Sequence, residues 1–440
     1  RIGLSATQKP IERVGALLVG AARPAPTIVD TGHRRAVDLS IEIPDDQLGP
    51  VATHEQWAAI LDRVTALVQS HRETIVFVNT RRLVERVAHA LEERIGADKV
   101  VAHHGSMSRR TRLDAEERLK SGAVPVVVAT ASLELGIDVG AVDLVCHLGS
   151  ARALATLIQR VGRSGHARGA LPKGILFPLT RDDLVQAAAA VRAILAGELD
   201  LLRIPQNARD ILAQQCVATV ASTGEMSVET LYGLVRRSYA YATLPRERFD
   251  EIIDLLAEGI TTRRGRRSAH LHFDRVNGVL RPRRGARLAA ITGGGAIPDT
   301  GQYDVVEEPA GLVVGKVDED FAVESMRGDI FLLGNRSWRV RRVEAARMRV
   351  EDAQGAPPTV PFWMGEAPGR TLALSTAVSD LRAAVAAQLP DLTRAAAWVA
   401  AECHTSPDAA TQLVAYIAET QAALGVVPTQ QCVVAERFFD

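Results

Sequence analysis

The sequence is poor in cysteine, and its four cysteines stand far apart. Cys146, Cys216, Cys403 and Cys432 form no Cys-x-x-Cys pair and no cysteine–histidine cluster with the spacing of metal ligands. Isolated thiols of this kind are typical of reduced, partly buried cysteines. The sequence therefore predicts neither a metal site nor a disulfide.

Long apolar segments and a net charge are also missing. No apolar run approaches the length that spans a bilayer, and Arg1 begins no signal peptide, so we expect a cytoplasmic protein without a membrane partner. The 52 basic and 52 acidic side chains balance, which excludes a uniformly basic protein and leaves any nucleic-acid binding to local clusters. A chain of 440 residues, 47% of them hydrophobic, predicts two to four globular domains.

The first half of the chain alternates between helical patterns and short apolar runs. Trp57, Ile60, Leu61, Val64 and Leu67 recur at helical intervals, which indicates a helix with one apolar face. Alternation of such helices with β-branched runs is typical of a parallel α/β sheet. The runs lie at 75–79, 100–103, 124–129, 142–147 and 174–177, and a further strand is predicted at 28–43.

Polar side chains and glycines follow these runs where a ligand would bind. Asn79 and Thr80 end one run, Thr130 and Ser132 follow another, and the segment 159–166 reads QRVGRSGH. Ligands of an open α/β sheet bind at the carboxyl ends of its strands, and the arginine fork pairs with phosphate oxygens in a bidentate manner. These segments together predict a phosphate-binding site.

The loop His104-Gly105-Ser106 after the run at 100–103 has two interpretations. It is either a turn in which Ser106 or Ser108 caps the following helix, or part of the ligand site.

Beyond residue 177 the pattern becomes helical and then changes to a hairpin. Helices are predicted at 210–221, 227–237 and 244–257, and two strands at 269–273 and 279–281 flank Asn277-Gly278, a strong hairpin signal. Three helices followed by a hairpin predict a winged helix. Nine arginines and one acid, Asp274, lie between Arg263 and Arg287, which favours phosphate contact over a solvated loop.

The last part of the chain reads as short strands followed by helices. Strands predicted at 303–307, 312–317, 322–326, 330–333, 338–343 and 348–351 suit a small antiparallel barrel. Three alanine-rich helices are predicted from Ser375, the last of them between Ser406 and Gly425, and a final strand at 432–438. The expected fold is an α/β lobe with a parallel sheet, an α+β winged helix, and an antiparallel β-barrel-containing domain with C-terminal helices.

Three segments carry a resemblance to a known class of motor proteins. IVFVNTRR, ATASLELGID and QRVGRSGH resemble motifs IV, V and VI of superfamily 2 helicases, which lie on the second of two RecA-like lobes, and Ser5-Ala6-Thr7 resembles motif III. No GxxxxGK[ST] phosphate loop and no DExx pair precedes Ser5. We therefore expect a fragment without its first lobe, unable to hydrolyse ATP alone, with the Mg²⁺ ligands in the missing lobe.

Further segments narrow the resemblance to one family. IPQNARDILAQQ, GDIFLLGNRSWRV, VEDAQGAPPTVPFWMGEAPGR and the join at Ile297 resemble the Lhr (large helicase-related) family of DNA helicases. The resemblance implies an ATP-dependent 3′-to-5′ translocase on single-stranded DNA that unwinds DNA or RNA:DNA duplexes, in DNA repair, with a monomeric core. It also implies four parts: 1–20, the end of the first lobe; 21–197, the second lobe; 198–290, the winged helix; and 291–440, the barrel with helices, truncated.

The same resemblance assigns roles to individual residues. Gln159, Arg163 and Arg160 are expected to act in ATP hydrolysis, and the ATP contacts are expected at Gly136, Asp138, Arg163 and His166. The superfamily pattern QxxGRxGR ends here in His166, which leaves Arg163, Arg160 and a charged His166 open as the γ-phosphate finger. The residues expected to contact DNA are Asn79, Thr80, His104, Gly105, Ser106, Thr130, Ser132, Ile297 and Trp363, the last by stacking on a base.

Two other interpretations stay open at this point. A Ski2-like RNA helicase also has two lobes and a winged helix, but it would continue into a helical ratchet domain. A non-enzymatic nucleic-acid-binding module would require upstream sequence without a phosphate loop.

Overall fold

The computed structural model describes residues 1–4, 8–30, 36–134, 140, 142–165, 171–262, 265–267, 269–293, 301–361 and 369–436. The chain folds as two compact units, and each unit combines two separate stretches of sequence. The first contains Arg1–Thr31 and Leu201–Asp299, and the second contains Gly32–Asp200 and Thr300–Asp440. Within the described ranges, no helix is long and apolar enough to cross a membrane.

Helices occur in both units, and most of them begin at a polar cap residue. Their bounds are α1 Ile11–Val19, α2 His54–Ser70, α3 Arg81–Ile95, α4 Arg109–Lys120, α5 Leu154–Val161, α6 Arg181–Leu195, α7 Arg209–Thr223, α8 Val228–Arg236, α9 Arg246–Glu258, α10 Ala286–Thr292, α11 Glu319–Glu324, α12 Leu372–Ala386, α13 Leu392–Glu402 and α14 Pro407–Leu424.

The strands are short. Their bounds are β1 Asp38–Ile41, β2 Thr74–Phe77, β3 Val100–His103, β4 Val126–Ala129, β5 Leu144–Leu148, β6 Lys173–Phe177, β7 Met226–Ser227, β8 Ile260–Thr262, β9 Gly265–Arg267, β10 Leu271–Asp274, β11 Val279–Pro282, β12 Gln302–Glu307, β13 Leu312–Asp318, β14 Ile330–Leu332, β15 Ser337–Glu344 and β16 Arg347–Asp352.

A six-stranded parallel sheet forms the centre of the second unit. Its strand order is β1-β6-β5-β2-β4-β3, and every pairing is parallel. Strands β2, β3 and β4 are buried along their whole length, as expected for β-branched runs covered by helices on both faces. The predicted parallel sheet is confirmed. Within the strand expected at 28–43, Asp38–Ile41 form β1, and residues 31–35 lie outside the described residues.

Helices from the end of the chain complete the core of this unit. Leu374, Val378 and Leu381 of α12 belong to the same buried cluster as the alanines of α6 and the apolar side chains of β1 and β4. The three predicted alanine-rich helices are confirmed as α12, α13 and α14, and Ser406 caps the last of them. The predicted strand at 432–438 is wrong for Cys432–Glu436, which form no strand; residues 437 and 438 lie outside the described residues.

The predicted small antiparallel barrel is present only in part, as a curled half-barrel. The strands form an open five-stranded sheet of order β13-β12-β16-β15-β14, in which β12 and β16 pair in parallel. Both edge strands are covered instead of joined to each other: Gly315 of β13 bridges Met107 of the α/β lobe, and Phe331 of β14 bridges Thr359. Covering an edge satisfies its backbone groups as closure would.

One predicted strand of this sheet is a helix. Residues 319–324 form α11, because the side chain of Asp318 accepts a hydrogen bond from the Asp320 amide (3.1 Å) and caps the helix. Apolar residues at 321–323 suggested a strand, but the acidic first turn, Glu319 and Asp320, favours a helix start.

The first unit contains the winged helix. Helices α7, α8 and α9 surround a buried cluster that includes Phe249 and Leu280, and a three-stranded sheet of order β10-β11-β7 closes one side. Its hairpin turns through Asn277 and Gly278, with Gly278 at a φ of +66°, so the predicted three helices and hairpin are confirmed. Helix α1 packs in the same unit, where the Gly20 backbone lies too close to the Arg237 carbonyl to admit a side chain.

Candidate nucleic-acid interface

A groove of about 650 Å³ runs along the carboxyl edge of the parallel sheet. The in-register strand ends Phe77, His103 and Ala129 bring the following residues to one level. The groove is lined by Asn79, Arg81, Gly105, Arg112, Thr130, Ala131, Ser132, Glu134, Arg152, Ala153, Thr156, Arg160, Gly369 and Thr371. Four residues predicted to contact DNA therefore meet here: Asn79, Gly105, Thr130 and Ser132.

Asn79 and Thr80 lie half-buried where β2 turns into α3. The Asn79 Nδ2 group donates to the Ser150 carbonyl (2.9 Å), which fixes the amide at the groove wall. The Thr80 hydroxyl accepts from the Leu83 amide (3.2 Å) and caps α3. Thr80 thus has a structural role of its own, and its placement in the groove lining is not observed.

The loop after β3 presents its backbone to the groove and keeps its side chains inside. Gly105 is exposed, whereas the His104 and Ser106 side chains are buried. The Ser106 hydroxyl accepts from Arg81 Nη1 (2.6 Å), and Ser108, one of the two predicted caps, accepts from the Thr111 amide (3.2 Å) at the start of α4. As the loop stands, Gly105 is the part of it that a ligand in the groove reaches.

Thr130 and Ser132 follow β4. The backbone N–H of Thr130 donates to the His103 carbonyl (3.3 Å). Its hydroxyl caps no amide of the short 3₁₀ helix that begins after it. Ser132 lies 2.7 Å from His103 Nδ1, and the other ring nitrogen lies 3.1 Å from Glu116. Burial lowers the pKa of His103, an effect that Glu116 opposes. The Thr130 hydroxyl is therefore available to a ligand, whereas Ser132 also supports His103.

Arg160 is held inside the lobe, which is a correction to its candidacy as a phosphate finger. Its Nε donates to Glu134 (3.1 Å), its Nη1 lies 2.7 Å from His147 Nε2, and its guanidinium stacks on the Phe77 ring at 5.2 Å. Burial lowers the pKa of Arg160, and the carboxylate of Glu134 opposes that shift. A guanidinium committed to these partners is not free to follow a phosphate group.

The same network fixes the protonation of His147. Arginine has no acceptor, so His147 Nε2 must accept from Arg160, and Nδ1 carries the proton that is donated to the Gly149 carbonyl (2.9 Å). Burial, and then the positive charge of Arg160, lower the pKa of His147 to about 3. The imidazole is therefore neutral at physiological pH.

Gln159 and Arg163 lie at the end of α5 and are both partly exposed. Helix α5 ends at Val161, and Arg163 Nε donates back to the Gln159 carbonyl at 3.4 Å. The start of α5 is capped from far along the chain, because Asp200 accepts from the Ala155 amide (2.7 Å) and from the Thr371 hydroxyl (2.5 Å). A partly exposed arginine at this helix end fits the charge of a nucleotide phosphate.

The backbone conformation after α5 favours glycine at position 165. Its φ of +65° lies in the left-handed region, and a Cβ would lie 3.1 Å from the Leu171 carbonyl carbon and from Pro172 N. The buried Ser164 hydroxyl accepts from the Lys173 amide (2.8 Å). Gly165 and Ser164 of the QRVGRSGH segment thus fix the backbone that carries Arg163.

Several predicted site residues lie outside the described residues. They are Ser5-Ala6-Thr7, the ATP-contact candidates Gly136, Asp138 and His166, and the DNA-contact candidates Ile297 and Trp363.

Part of the arginine cluster of the winged helix is already neutralised. Arg275 donates to Asp254 (2.8 Å) and Glu258 (2.9 Å), and Arg281 donates to Glu225 (2.7 Å). Arg283 donates to the Leu271 carbonyl at 2.7 Å and supports the hairpin. The excess of arginine in sequence thus overstates the positive charge of this surface.

Sequence reasoning missed the remaining polar lining of the groove. Arg112 and Arg152 stand in it, and Thr371 joins them from the start of α12, where its backbone N–H donates to the Arg152 carbonyl (2.9 Å). The run of arginines in α4 was the one available signal for Arg112. Nothing in the sequence linked Thr371 to this edge of the sheet.

Comparisons with known proteins agree with this architecture. Residues 56–168 match the model of the helicase conserved C-terminal domain, and residues 192–360 match that of the large helicase-related protein, winged helix domain. The Lhr helicase/probable uracil glycosylase of Mycolicibacterium smegmatis is 37% identical over 100% of this chain and 31% of its own length. The ATP-dependent helicase Lhr-Core of Methanocaldococcus jannaschii is 35% identical over 83% of this chain and 43% of its own length.

A solved structure extends the similarity to the fold. The Mycobacterium smegmatis helicase Lhr bound to ssDNA and AMP-PNP matches with a TM-score of 0.74 and 35% identity, over 98% of this chain and 51% of that one. The chain spans less than half the length of the two curated relatives named above. Both family models, these relatives and the shared fold agree, and this chain belongs to the Lhr family of superfamily 2 helicases.

Proposed function

We propose that the protein carrying this chain is an ATP-dependent helicase that tracks 3′-to-5′ on single-stranded DNA and unwinds DNA or RNA:DNA duplexes. The observation that carries the proposal is the groove, where the exposed Gly105 backbone and the Thr130 hydroxyl meet Arg112 and Arg152. Neutral hydrogen-bonding groups beside arginines suit a sugar–phosphate backbone and read no sequence. That is what a motor requires if it is to pass over any sequence.

The proposed nucleotide contacts lie at the end of α5. ATP supplies the free energy of the translocation step when it is bound. Arg163 would hold the charge of its phosphates, since it is partly exposed at this helix end whereas the Arg160 side chain is buried. Gln159, four residues before Arg163, would help to orient the same ATP phosphates. Mg²⁺ would accompany the ATP phosphates, and we propose that its protein ligands belong to the first lobe.

We also propose a role in DNA repair. The support is the printed name of the mycobacterial relative, which joins a helicase to a uracil glycosylase. Base removal leaves a damaged strand that must be exposed, and a strand-separating motor serves that need. We also propose that domains end at residues 20, 197 and 290. Ile297 and Trp363 are proposed to contact the DNA strand.

Two substitutions in the full-length protein test the proposal. Thr130→Ala should weaken binding of a single-stranded oligonucleotide, and unwinding of a duplex with a 3′ tail should fall with it. Arg163→Ala should leave that binding intact and lower ATP hydrolysis by roughly 10³-fold, the lower end of the range for an arginine finger. Arg118→Ala is the matched control, because Arg118 is a partly exposed arginine outside the groove whose Nη2 donates to the Asp98 carbonyl.

Binding is measured by fluorescence anisotropy and hydrolysis by phosphate release, with 3′-tailed and 5′-tailed duplexes compared. Unchanged oligonucleotide binding in Thr130→Ala would remove the groove as the strand site. Unchanged hydrolysis in Arg163→Ala would remove α5 as the nucleotide contact.

A further inference from the structure

The groove loop is held from behind by a buried carboxylate. Glu85 lies on α3 with no exposed surface, and its Oε1 lies 2.7 Å from Nε2 of the equally buried His104. His104 Nδ1 accepts from the Ser106 amide (3.3 Å), so the ring proton must lie on Nε2 and point at Glu85. Glu85 therefore fixes the His104 ring, and through it the turn that presents Gly105.

The same carboxylate holds a second element, the hairpin between β14 and β15. The Gly334 amide donates to Glu85 Oε1 (2.7 Å), and the Asn335 amide points at Oε2 (3.4 Å). Both residues have positive φ, +65° and +62°, and two successive amides of such a turn form a site for an anion. Glu85 is the anion that occupies it.

A backbone ladder runs parallel to this contact. The Ser108 amide donates to the Val314 carbonyl (3.1 Å), and the Lys316 amide donates to the Ser106 carbonyl (2.6 Å). Edge strand β13 thus pairs with the loop itself. A Cβ on Gly315 would lie 2.6 Å from the Ser106 carbonyl oxygen, so this close pairing needs glycine at 315.

We propose that Glu85 is a positioning residue for strand binding: it locks the loop at 104–108 to the five-stranded sheet, so that the groove holds a nucleic-acid backbone only while the sheet is docked. Glu85 itself never touches the strand, because it is buried behind the loop. Its loss leaves the buried His104 N–H and the half-buried Gly334 N–H without their acceptor, a cost that the loop relieves by moving. The inference rests on the proposed function, since Gly105 and Thr130 must be strand contacts for the lock to matter.

Two variants, made in the full-length protein, test the lock, which is the set of contacts that joins the loop at 104–108 to the five-stranded sheet. Glu85→Leu removes the acceptor, and Gly315→Val pushes β13 off the Ser106 carbonyl. Each should raise the Kd for oligo(dT) about tenfold, or about 1.4 kcal/mol. Glu85→Gln is the conservative variant, because its amide oxygen can still accept from His104 Nε2 and from the Gly334 amide; it should recover most of the affinity that Glu85→Leu loses.

Three readouts separate this role from a structural one. ATP binding and the melting temperature identify folded variants. The slope of log Kd against log salt should stay that of the parent, because no phosphate-pairing charge is removed. A residue that contributed only to stability would lower the melting temperature and leave the Kd unchanged, and that outcome, or an unchanged Kd in Gly315→Val, overturns the proposal.

Thr130→Ala in the same assay distinguishes failure of the Glu85 proposal from failure of the groove as the strand site. If it weakens binding while folded Glu85→Leu and Gly315→Val bind as tightly as the parent, the groove stands and the lock is wrong. If Thr130→Ala binds as tightly as the parent, the groove is not the strand site, and the lock fails with it.

Discussion

Glu92 shows how a single side chain near the lock responds to pH. It lies on α3, about two turns beyond Glu85, with 11% of its side chain exposed. Burial, and then the charge of Glu85, raise its pKa to about 7, from an ordinary value of 4.5. His89 Nδ1 lies 3.8 Å from Glu92 Oε2 on the same helix. The folded protein therefore binds a proton at Glu92 more tightly than the unfolded chain does.

The consequence is a loss of stability as pH rises. The contribution of Glu92 is fully present below pH 4.5 and is lost as pH rises through about 7, because the unfolded chain releases the proton first. Glu92→Gln should raise the free energy of unfolding at pH 8 by about 1 to 2 kcal/mol, allowing for residual water at the site, and change it little at pH 4.5. Urea denaturation across this range measures it.

The control for that series is Glu93→Gln, whose side chain is 65% exposed. It should keep the pH dependence of the parent. An identical pH dependence in Glu92→Gln and the parent would contradict the raised pKa.

At the scale of single residues, the sequence identified candidate side chains but not the partners that surround them in the fold. Arg160 and Arg163 are three apart, which predicts one shared face on a helix, but α5 ends at Val161 and Arg163 leaves that face. His104 was a plausible ligand contact until Glu85 proved to lie beside it. Burial of this kind depends on partners such as Gly334, 249 residues from Glu85, which no local pattern reveals.

At the scale of elements, helix α5 is positioned by its contact with strand β6. A Cβ on Gly174 would lie 2.6 Å from Val161 Cγ2 and 3.1 Å from Leu39 Cδ2. Gly174→Ala should therefore destabilise the second unit by about 1 to 3 kcal/mol, the usual cost of overpacking a core. Chemical denaturation followed by circular dichroism measures this change.

The chain offers a matched glycine for comparison. Gly233 lies within α8 with nothing within 4 Å of an added Cβ, so Gly233→Ala should stabilise the first unit by about 0.4 to 1 kcal/mol. Equal effects of the two substitutions would mean that the contact between α5 and β6 is looser than the distances indicate.

Elements with local signals were predicted well, and their assembly was not. Local patterns located α7, α8, α9 and α14, of which α8 and α14 begin at a capping serine, and Asn277-Gly278 located the hairpin. The open sheet was missed because closure depends on what lies beside each edge. Here Met107 and Thr359 cover β13 and β14, and both lie outside the sheet.

At the scale of the whole molecule, the two units are each built from distant stretches of chain. A sequence read from one end to the other suggests domains in series, whereas residues 300–440 fold with 32–200. One signal for this was present: Ala187–Ala190 are all buried, and a helix that is apolar all round requires neighbours on several sides. The partner of that helix, α12, was not identifiable from its own pattern.

This shared core gives a prediction for the second unit. Leu381 of α12 is fully buried in the cluster that also contains α6, so Leu381→Ala should lower the free energy of unfolding by about 2 to 5 kcal/mol. The loss should appear in the transition of the parallel-sheet lobe, because the core is common. Urea titration followed by hydrogen exchange of the β2 and β4 amides measures it.

Leu392→Ala, with 49% of Leu392 exposed in the same group of helices, should change stability by no more than about 0.5 kcal/mol. Retained protection of β2 and β4 in Leu381→Ala would contradict a common core.

The wall of the groove contributed by Thr371 has a consequence for synthesis of the protein. Ribosomes make the chain from its amino end, so a nascent polypeptide extended as far as residue 200 already holds all six strands of the parallel sheet but neither Thr371 nor the helix that it begins. The Thr371 hydroxyl reaches Asp200, and its amide reaches Arg152, only after translation has passed α12. The complete groove is thus a late product of translation.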